Sequence, residues 1–478
     1  MRRLVPLLLL AVAAPALGYD WELQSETVGQ GYQVRRLQGG GQAELLSRRR
    51  LTQDLGLGVY NLAPEGWTDE GRKNQLYVVT RLKFDTDFGT YPEKAARDLI
   101  PELQRYDFTL LYGFVGGRDV FGRVDFQLGR QISMDLMDFY SFDGLLVRVR
   151  APGHLALEAL GGAAVRNEWP LASPIFELDG TSRHNRDPQT RPGLEDSPAA
   201  TVGAALETWG LGQFQTRLAY RATISATRGR LEGEPATALL DERLSWQAAA
   251  SLWRGLVQPM AGVRWDFLQS RVDQAEAALR VRPWRRHSFV VEYLRAAPTF
   301  DGDSIFNVFA TEPYQDLRAG WDFDGPGLQA YLRGFTRFFA AAGGVGGGTD
   351  AGGAAGLTLR FGRGRARADV YYEDGYAGRR TGCDLRAAVE VVRGWLALDG
   401  RTTVVATATP SARENRIGEP AAVSSVGLEG GVRWTPARAL TVHVVSYGNL
   451  SSLERSFGVF TFVEIHAWLF ETHRKGQR

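Results

Sequence analysis

The residues with the plainest capacity for chemistry are arginines set at even spacing. Arg148 and Arg150, and Arg365 and Arg367, stand two apart, while Arg217 and Arg221, and Arg333 and Arg337, stand four apart. Side chains of an extended chain point alternately to its two sides, so each pair shares one side of its strand. Arg123 with Asp125, and Glu429 with Arg433, repeat the pattern. Guanidinium groups grip carboxylates as forks and stack on rings, so arginines in such rows are candidates to guide anionic or sugar-like solutes along a wall. The competing reading is structural. The same arginines would pair with Asp125, Glu292, Asp369, Glu390 and Glu429 and merely brace the wall, and the even charge balance favours it.

Catalytic signatures are missing. The chain holds no G-x-S-x-G elbow, no phosphate loop, no C-x-x-C and no H-E-x-x-H. Its six histidines (His154, His184, His287, His443, His466 and His473) are scattered, and Cys383 stands alone. The glycine-rich run Gly343–Gly356 lacks the strand-to-helix setting of a phosphate cradle and reads as a flexible loop. No catalytic residue, metal site or cofactor is expected.

Charge and targeting narrow the setting. Residues 1–18, MRRLVPLLLLAVAAPALG, have the basic start, leucine-rich middle and small-residue end of a secretory signal peptide. Removing Arg2 and Arg3 with it brings the 56 basic residues to 54, equal to the 54 acidic ones. That balance gives no reason to expect a nucleic-acid partner. After the signal, apolar residues occur in alternation rather than in long runs, which excludes a helical membrane protein.

The elements that would position the charges are strands. In LYVVTRLKFDTDF (76–88), FQTRLAYRATIS (214–225), and the stretches 365–372, 426–434 and 440–447, apolar and polar residues alternate. The best helical stretch, 92–105, is interrupted by Pro101. Tight junctions are expected near Gly116–Gly117, Ala151–Pro152, Gly362–Gly364 and Arg393–Gly394. Longer polar connections alternate with them at 90–105, 131–142, 166–199, 229–242, 298–313, 341–355 and 408–422. Turns at one end and long loops at the other are the habit of outer-membrane barrels. The expected fold is all-β: a single antiparallel transmembrane β-barrel over residues 19–478, with 20–42 allowed as an N-terminal extension. It should have 16 to 22 strands, short periplasmic turns and long extracellular loops.

The stretch Gly129-Arg130-Gln131, a polar connection, and then Phe142-Asp143-Gly144-Leu145 resembles a hairpin of large bacterial porins, including the alginate-export and related solute-specific porin families. The resemblance covers this hairpin alone. It implies about 18 strands and a hydrophilic, often saccharide or anionic, substrate. Physically, Arg130 could anchor the adjoining loop by pairing with Asp135, Asp138 or Asp143, and Gly144 would let the backbone turn into the strand. Gln131 and Asp143 complete the anchoring motif. Phe460–Phe470 resembles the terminal strand read by the barrel-insertion machinery, with Trp468 and Phe470 in the aromatic positions.

The expectation is a channel in the bacterial cell outer membrane, surrounded by its lipid, that passes a hydrophilic solute. Export of a polysaccharide is one specific form, and it would need a periplasmic delivery partner. Two rivals stand beside it: an outer-membrane enzyme acting on lipid or lipopolysaccharide, and a blocked structural or adhesive barrel. The segment SIFNVFATEPYQ (304–315) carries apolar residues outside a strand and is expected to fold inward and narrow the pore.

Overall fold

Alternation carried through the chain produces 22 antiparallel strands in a computed structural model. It describes residues 20–38, 41–62, 76–87, 106–134, 139–165, 199–208, 211–226, 237–297, 313–341, 347–376, 378–408, 422–452 and 454–469. The strands are β1 (Asp20–Gln38), β2 (Gly41–Tyr60), β3 (Leu76–Asp87), β4 (Tyr106–Val120), β5 (Val124–Met134), β6 (Phe139–Ala151), β7 (Leu155–Ala164) and β8 (Ala199–Thr208). They continue with β9 (Phe214–Ala226), β10 (Thr237–Ala250), β11 (Val257–Asp266), β12 (Arg271–Trp284), β13 (His287–Ala296), β14 (Tyr314–Asp324) and β15 (Leu328–Phe339). The last are β16 (Gly348–Phe361), β17 (Gly364–Gly375), β18 (Arg379–Val392), β19 (Leu396–Ala408), β20 (Ala422–Ala437), β21 (Leu440–Ser451) and β22 (Glu454–Leu469).

Each strand pairs with the next, and β1 also pairs with β22 from Trp21↔Leu469 to Arg36↔Glu454. The sheet therefore closes on itself and leaves no free edge. The count is the upper end of the expected range and corrects the figure of 18. The difference has physical sources. β11, β12 and β13 are separated only by residues 267–270 and 285–286, without the glycine or proline that marks a junction. On β1, the side bearing Ser25, Thr27, Gly29 and Gly31 is small and polar, so its alternation is faint.

The longest connections follow strand parity, although 39–40, 135–138, 267–270, 376–378 and 452–453, at the same end as the long ones, are short. The ends of β4, β6, β14, β16, β18 and β20 are tight turns, four of them carrying glycine at positive φ: Gly122 (72°), Gly153 (80°), Gly362 (54°) and Gly394 (70°). The long connections 88–105, 165–198, 227–236, 297–313 and 409–421 all leave the opposite end, and 61–75 is the long exception on the turn side. Four boundaries move, the first being the connection expected at 131–142, most of which is taken up by β5 and β6. Gly116–Gly117 lies inside β4, not at a junction; β10 already begins at Thr237, and β16 takes up much of the glycine-rich run from Gly348 onward. The stretch 92–105, the segment 304–312 and Phe470 fall outside the described residues.

Register assigns the two faces. On β9, Phe214, Leu218, Tyr220 and Ile224 are exposed, while Arg217 and Arg221 on the other side are largely covered by their partners. The same split continues round the sheet: Leu332 is 57% exposed, Leu428 54% and Phe457 62%. A continuous apolar band of that kind has no place on a soluble surface, where large apolar patches are confined to binding sites. Hydrocarbon satisfies it, and a large closed barrel with that band is consistent with a bacterial outer membrane. A barrel of 22 strands is too wide for wall side chains to fill its lumen.

Closure makes a direct prediction. Ser25 lies opposite Ile465 across the seam, whereas Val459 lies opposite Gly31. In a Cys383→Ser background, the pair Ser25→Cys and Ile465→Cys should form an intrachain disulfide on oxidation, seen as a mobility shift of the denatured chain. The pair Ser25→Cys and Val459→Cys should not.

Candidate functional site

The inward faces of the strands bring most of the sequence-selected charges together, in three groups. The first spans β4 to β10. Arg150 bridges Asp125 (2.5 Å) and Asp119, and Arg148 pairs with Glu207. Arg217 reaches Glu158 at 2.6 Å and Glu207 at 2.8 Å. Arg221 meets Asp241 at 2.6 Å, Arg243 meets the other oxygen of that carboxylate at 2.7 Å, and the Arg221 guanidinium lies 4.3 Å over the Tyr140 ring. Glu207 and Arg217 are directly opposed, whereas Arg148, opposite Asp125 and Glu158, reaches past β7 to Glu207, so long arginine side chains link strands that are not neighbours.

The second group spans β14 to β17. Asp316 is wholly buried and accepts from Arg318 (2.8 Å) and Arg337 (3.0 Å). Arg333 holds Asp322 at 2.6 Å, and Arg367 holds Asp369 at 2.6 Å while the Tyr331 hydroxyl donates to the same carboxylate at 2.7 Å. The third group is centred on Asp384, which accepts from Arg386 and Arg401, both at 2.5 Å, and from the Thr403 hydroxyl at 2.8 Å.

Four of the selected residues stand apart. Arg123 is in the tight turn before β5 and is not a wall residue. Arg365, Glu429 and Arg433 face inward, and among the described residues none of them forms an ion pair. Of the proposed acidic partners, Asp125 and Asp369 are engaged by arginine, whereas Glu390 accepts from the Gly394 backbone in a turn. The acids that matter most elsewhere, Glu158, Glu207, Asp241, Asp316 and Asp384, were not singled out in the sequence. Their signal was present: each occupies an inward position within reach of an arginine on its own or a nearby strand. Among the described residues no cluster of three or more histidines, cysteines and carboxylates could hold a metal ion.

The hairpin motif is built into strands rather than into a connection. Arg130 and Asp143 are directly opposed on β5 and β6 and form a two-pronged ion pair at 2.7 and 2.8 Å. They share the face of Leu128 and Leu145, the outward one. Gln131 and Phe142, opposed on the inner face, are almost fully buried, and Gln131 donates to the Gly144 carbonyl at 3.0 Å. Gly144 serves close approach rather than a turn: a Cβ there would stand 2.2 Å from the Gly161 carbonyl oxygen.

No family model and no curated protein matches the chain. Among solved structures it is similar to Pseudomonas aeruginosa OccK2 (OpdF) in complex with glucuronate, at 12% identity and a TM-score of 0.41, over 94% of this chain and 98% of that one. It is similar to Pseudomonas aeruginosa OpdL at 13% and 0.42, over 94% and 99%, and to Acinetobacter baumannii OccAB1 at 9% and 0.41, over 95% and 97%. Closure of the sheet, not these distant likenesses, carries the fold assignment.

Two stability predictions follow from the pairing. Arg217→Met leaves Glu158 and Glu207 facing each other. It should cost about 2 kcal/mol in urea unfolding of the reconstituted barrel, less than the ~3–5 kcal/mol of a fully buried pair because the lumen is wet. On the outer face, Asp143→Ala would take from Arg130 its carboxylate partner while the Leu110 carbonyl at 3.3 Å remains, and should cost about 2 kcal/mol. The double variant Arg130→Ala with Asp143→Ala should cost less than the two single changes added together.

Proposed function

We propose that the chain is an outer-membrane channel that passes hydrophilic solute, of the saccharide or anionic class, through the lumen of its barrel. The observation that carries this reading is the closed circuit of strands with most charges on one face and a predominantly apolar band on the other. Such a tube is stable only across a bilayer, and its interior is a water-filled or loop-filled path.

The wall arginines act chiefly as braces in this reading. Arg148, Arg150, Arg217, Arg221, Arg333, Arg337 and Arg367 spend their forks on neighbouring carboxylates. The paired charges set up local dipoles, not a single-sign field, which suits a polar or weakly charged solute better than electrostatic capture of a strong anion. Arg130 and Asp143 pin β5 to β6 where the connection 135–138 leaves the sheet, the loop-anchoring role. Export of a polysaccharide would be a special case that needs a delivery partner in the periplasm.

Planar bilayers test the channel. Purified protein should give stepwise conductance in potassium chloride, with a reversal potential near that of a weakly selective pore under a salt gradient. Insertion shown by protease protection, without any current, would overturn the reading in favour of a blocked barrel.

A further inference from the structure

The lumen wall is not uniformly polar. Across β19 to β22 and β1 it holds a hollow of about 560 Å³. Its floor is aromatic: Tyr447 and Phe460 stack with centroids 5.1 Å apart and planes 22° apart, and Phe462 and Val28 extend the apolar surface. The floor exists because glycine stands opposite the tyrosine. Gly458 is the register partner of Tyr447, and a Cβ at Gly458 would stand 2.5 Å from the ring, so the ring lies against the wall instead of projecting into the lumen. Gly427, opposite Thr403, keeps the hollow open on the next strands.

Two polar side chains edge the hollow without employment. Glu429 is opposite Arg401 on one side and Tyr447 on the other, but Arg401 is drawn away to Asp384 at 2.5 Å. Asn449 is the second. Among the described residues neither Glu429 nor Asn449 makes a hydrogen bond or ion pair. The carboxylates named in the three arginine groups are engaged, whereas Glu429 stands unpaired beside an aromatic floor. An apolar platform with a few placed polar groups is the usual composition of a small-molecule site.

We infer that this hollow is a binding subsite for a neutral hexopyranose ring. It rests on the channel reading and names the solute class that the path would hold. The flat apolar face of a pyranose packs on the Tyr447 and Phe460 rings, whose π-faces are electron-rich and attract C–H groups. Its hydroxyls each donate and accept. Glu429 supplies acceptors, Asn449 supplies both, and the free edge of Arg401 supplies donors. A carboxylate-bearing sugar would meet the unpaired Glu429 and be repelled, and an ammonium would leave Asn449 and Arg401 unused.

Titration calorimetry on the full mature chain in an amine-oxide detergent, which carries no sugar headgroup, tests the inference with maltotriose as the probe. Maltotriose should bind saturably, and Tyr447→Ala and Glu429→Gln should each weaken its Kd tenfold or more. Tyr447→Phe should keep affinity within threefold, and Glu292→Gln, on a distant part of the wall, should leave it unchanged. Trigalacturonate should bind at least tenfold more weakly than maltotriose. No binding by the parent protein, wild-type affinity in both Tyr447→Ala and Glu429→Gln, or equal affinity for trigalacturonate would overturn the subsite. Sheet circular dichroism of each variant separates lost binding from lost folding; were Tyr447→Ala not to fold, Glu429→Gln with Tyr447→Phe would decide. Conductance of the same preparation is read separately. A conducting protein that ignores maltotriose defeats the subsite alone, and a silent one defeats the channel while the isotherm still decides the subsite.

Discussion

In a hydrocarbon medium every backbone N–H and C=O must find its partner inside the protein, and this requirement shapes the whole molecule. The chain meets it by pairing each strand with the next and the first with the last. Once the sheet is a closed tube, its two surfaces face different solvents, and the alternation of side chains along each strand has to sort residues accordingly. Leucine, valine and aromatic rings take the outer side, and arginine, aspartate and glutamate take the inner one.

The inner wall then faces a second constraint. Long charged side chains crowded on a concave surface are tolerated where each finds a counter-charge, and the register supplies it within a strand or two. Arg217 between Glu158 and Glu207, and Asp384 between Arg386 and Arg401, show acids and bases alternating around the circumference rather than collecting by sign. Glycine does complementary work on the same surface. Where it faces a tyrosine, as Gly458 faces Tyr447, the ring lies flat and the wall gains an apolar floor in place of a projecting side chain. The outward ion pair of Arg130 with Asp143 obeys the same logic on the apolar side of the wall.

Much of this was legible in the sequence. Alternation in 214–225 and 426–434 gave the strand faces, even spacing placed Arg148 and Arg150 on one side, and the order of turns and long connections implied a barrel. What was not legible depends on partners distant in sequence. The number of strands was underestimated where junctions lack turn residues, as at 285–286, and where one side of a strand is small and polar, as on β1. The identity of each counter-ion, Glu207 for Arg148 or Asp316 for Arg337, is a matter of register, which spacing along one strand does not reveal. The connection expected over 131–142 is shortened to 135–138 because both strands run on, which seats Arg130 and Asp143, one of the anchoring pairs the sequence offers, within the wall.

The seam has a consequence in time as well as in space. His466 on β22 bonds Glu22 on β1 across 444 residues of sequence, at 2.8 Å. Joining chain ends that far apart is entropically costly and slow compared with forming any neighbouring hairpin. The tube closes only when β22 is in place, and until then one row of amides and carbonyls on β1 lacks its strand partner.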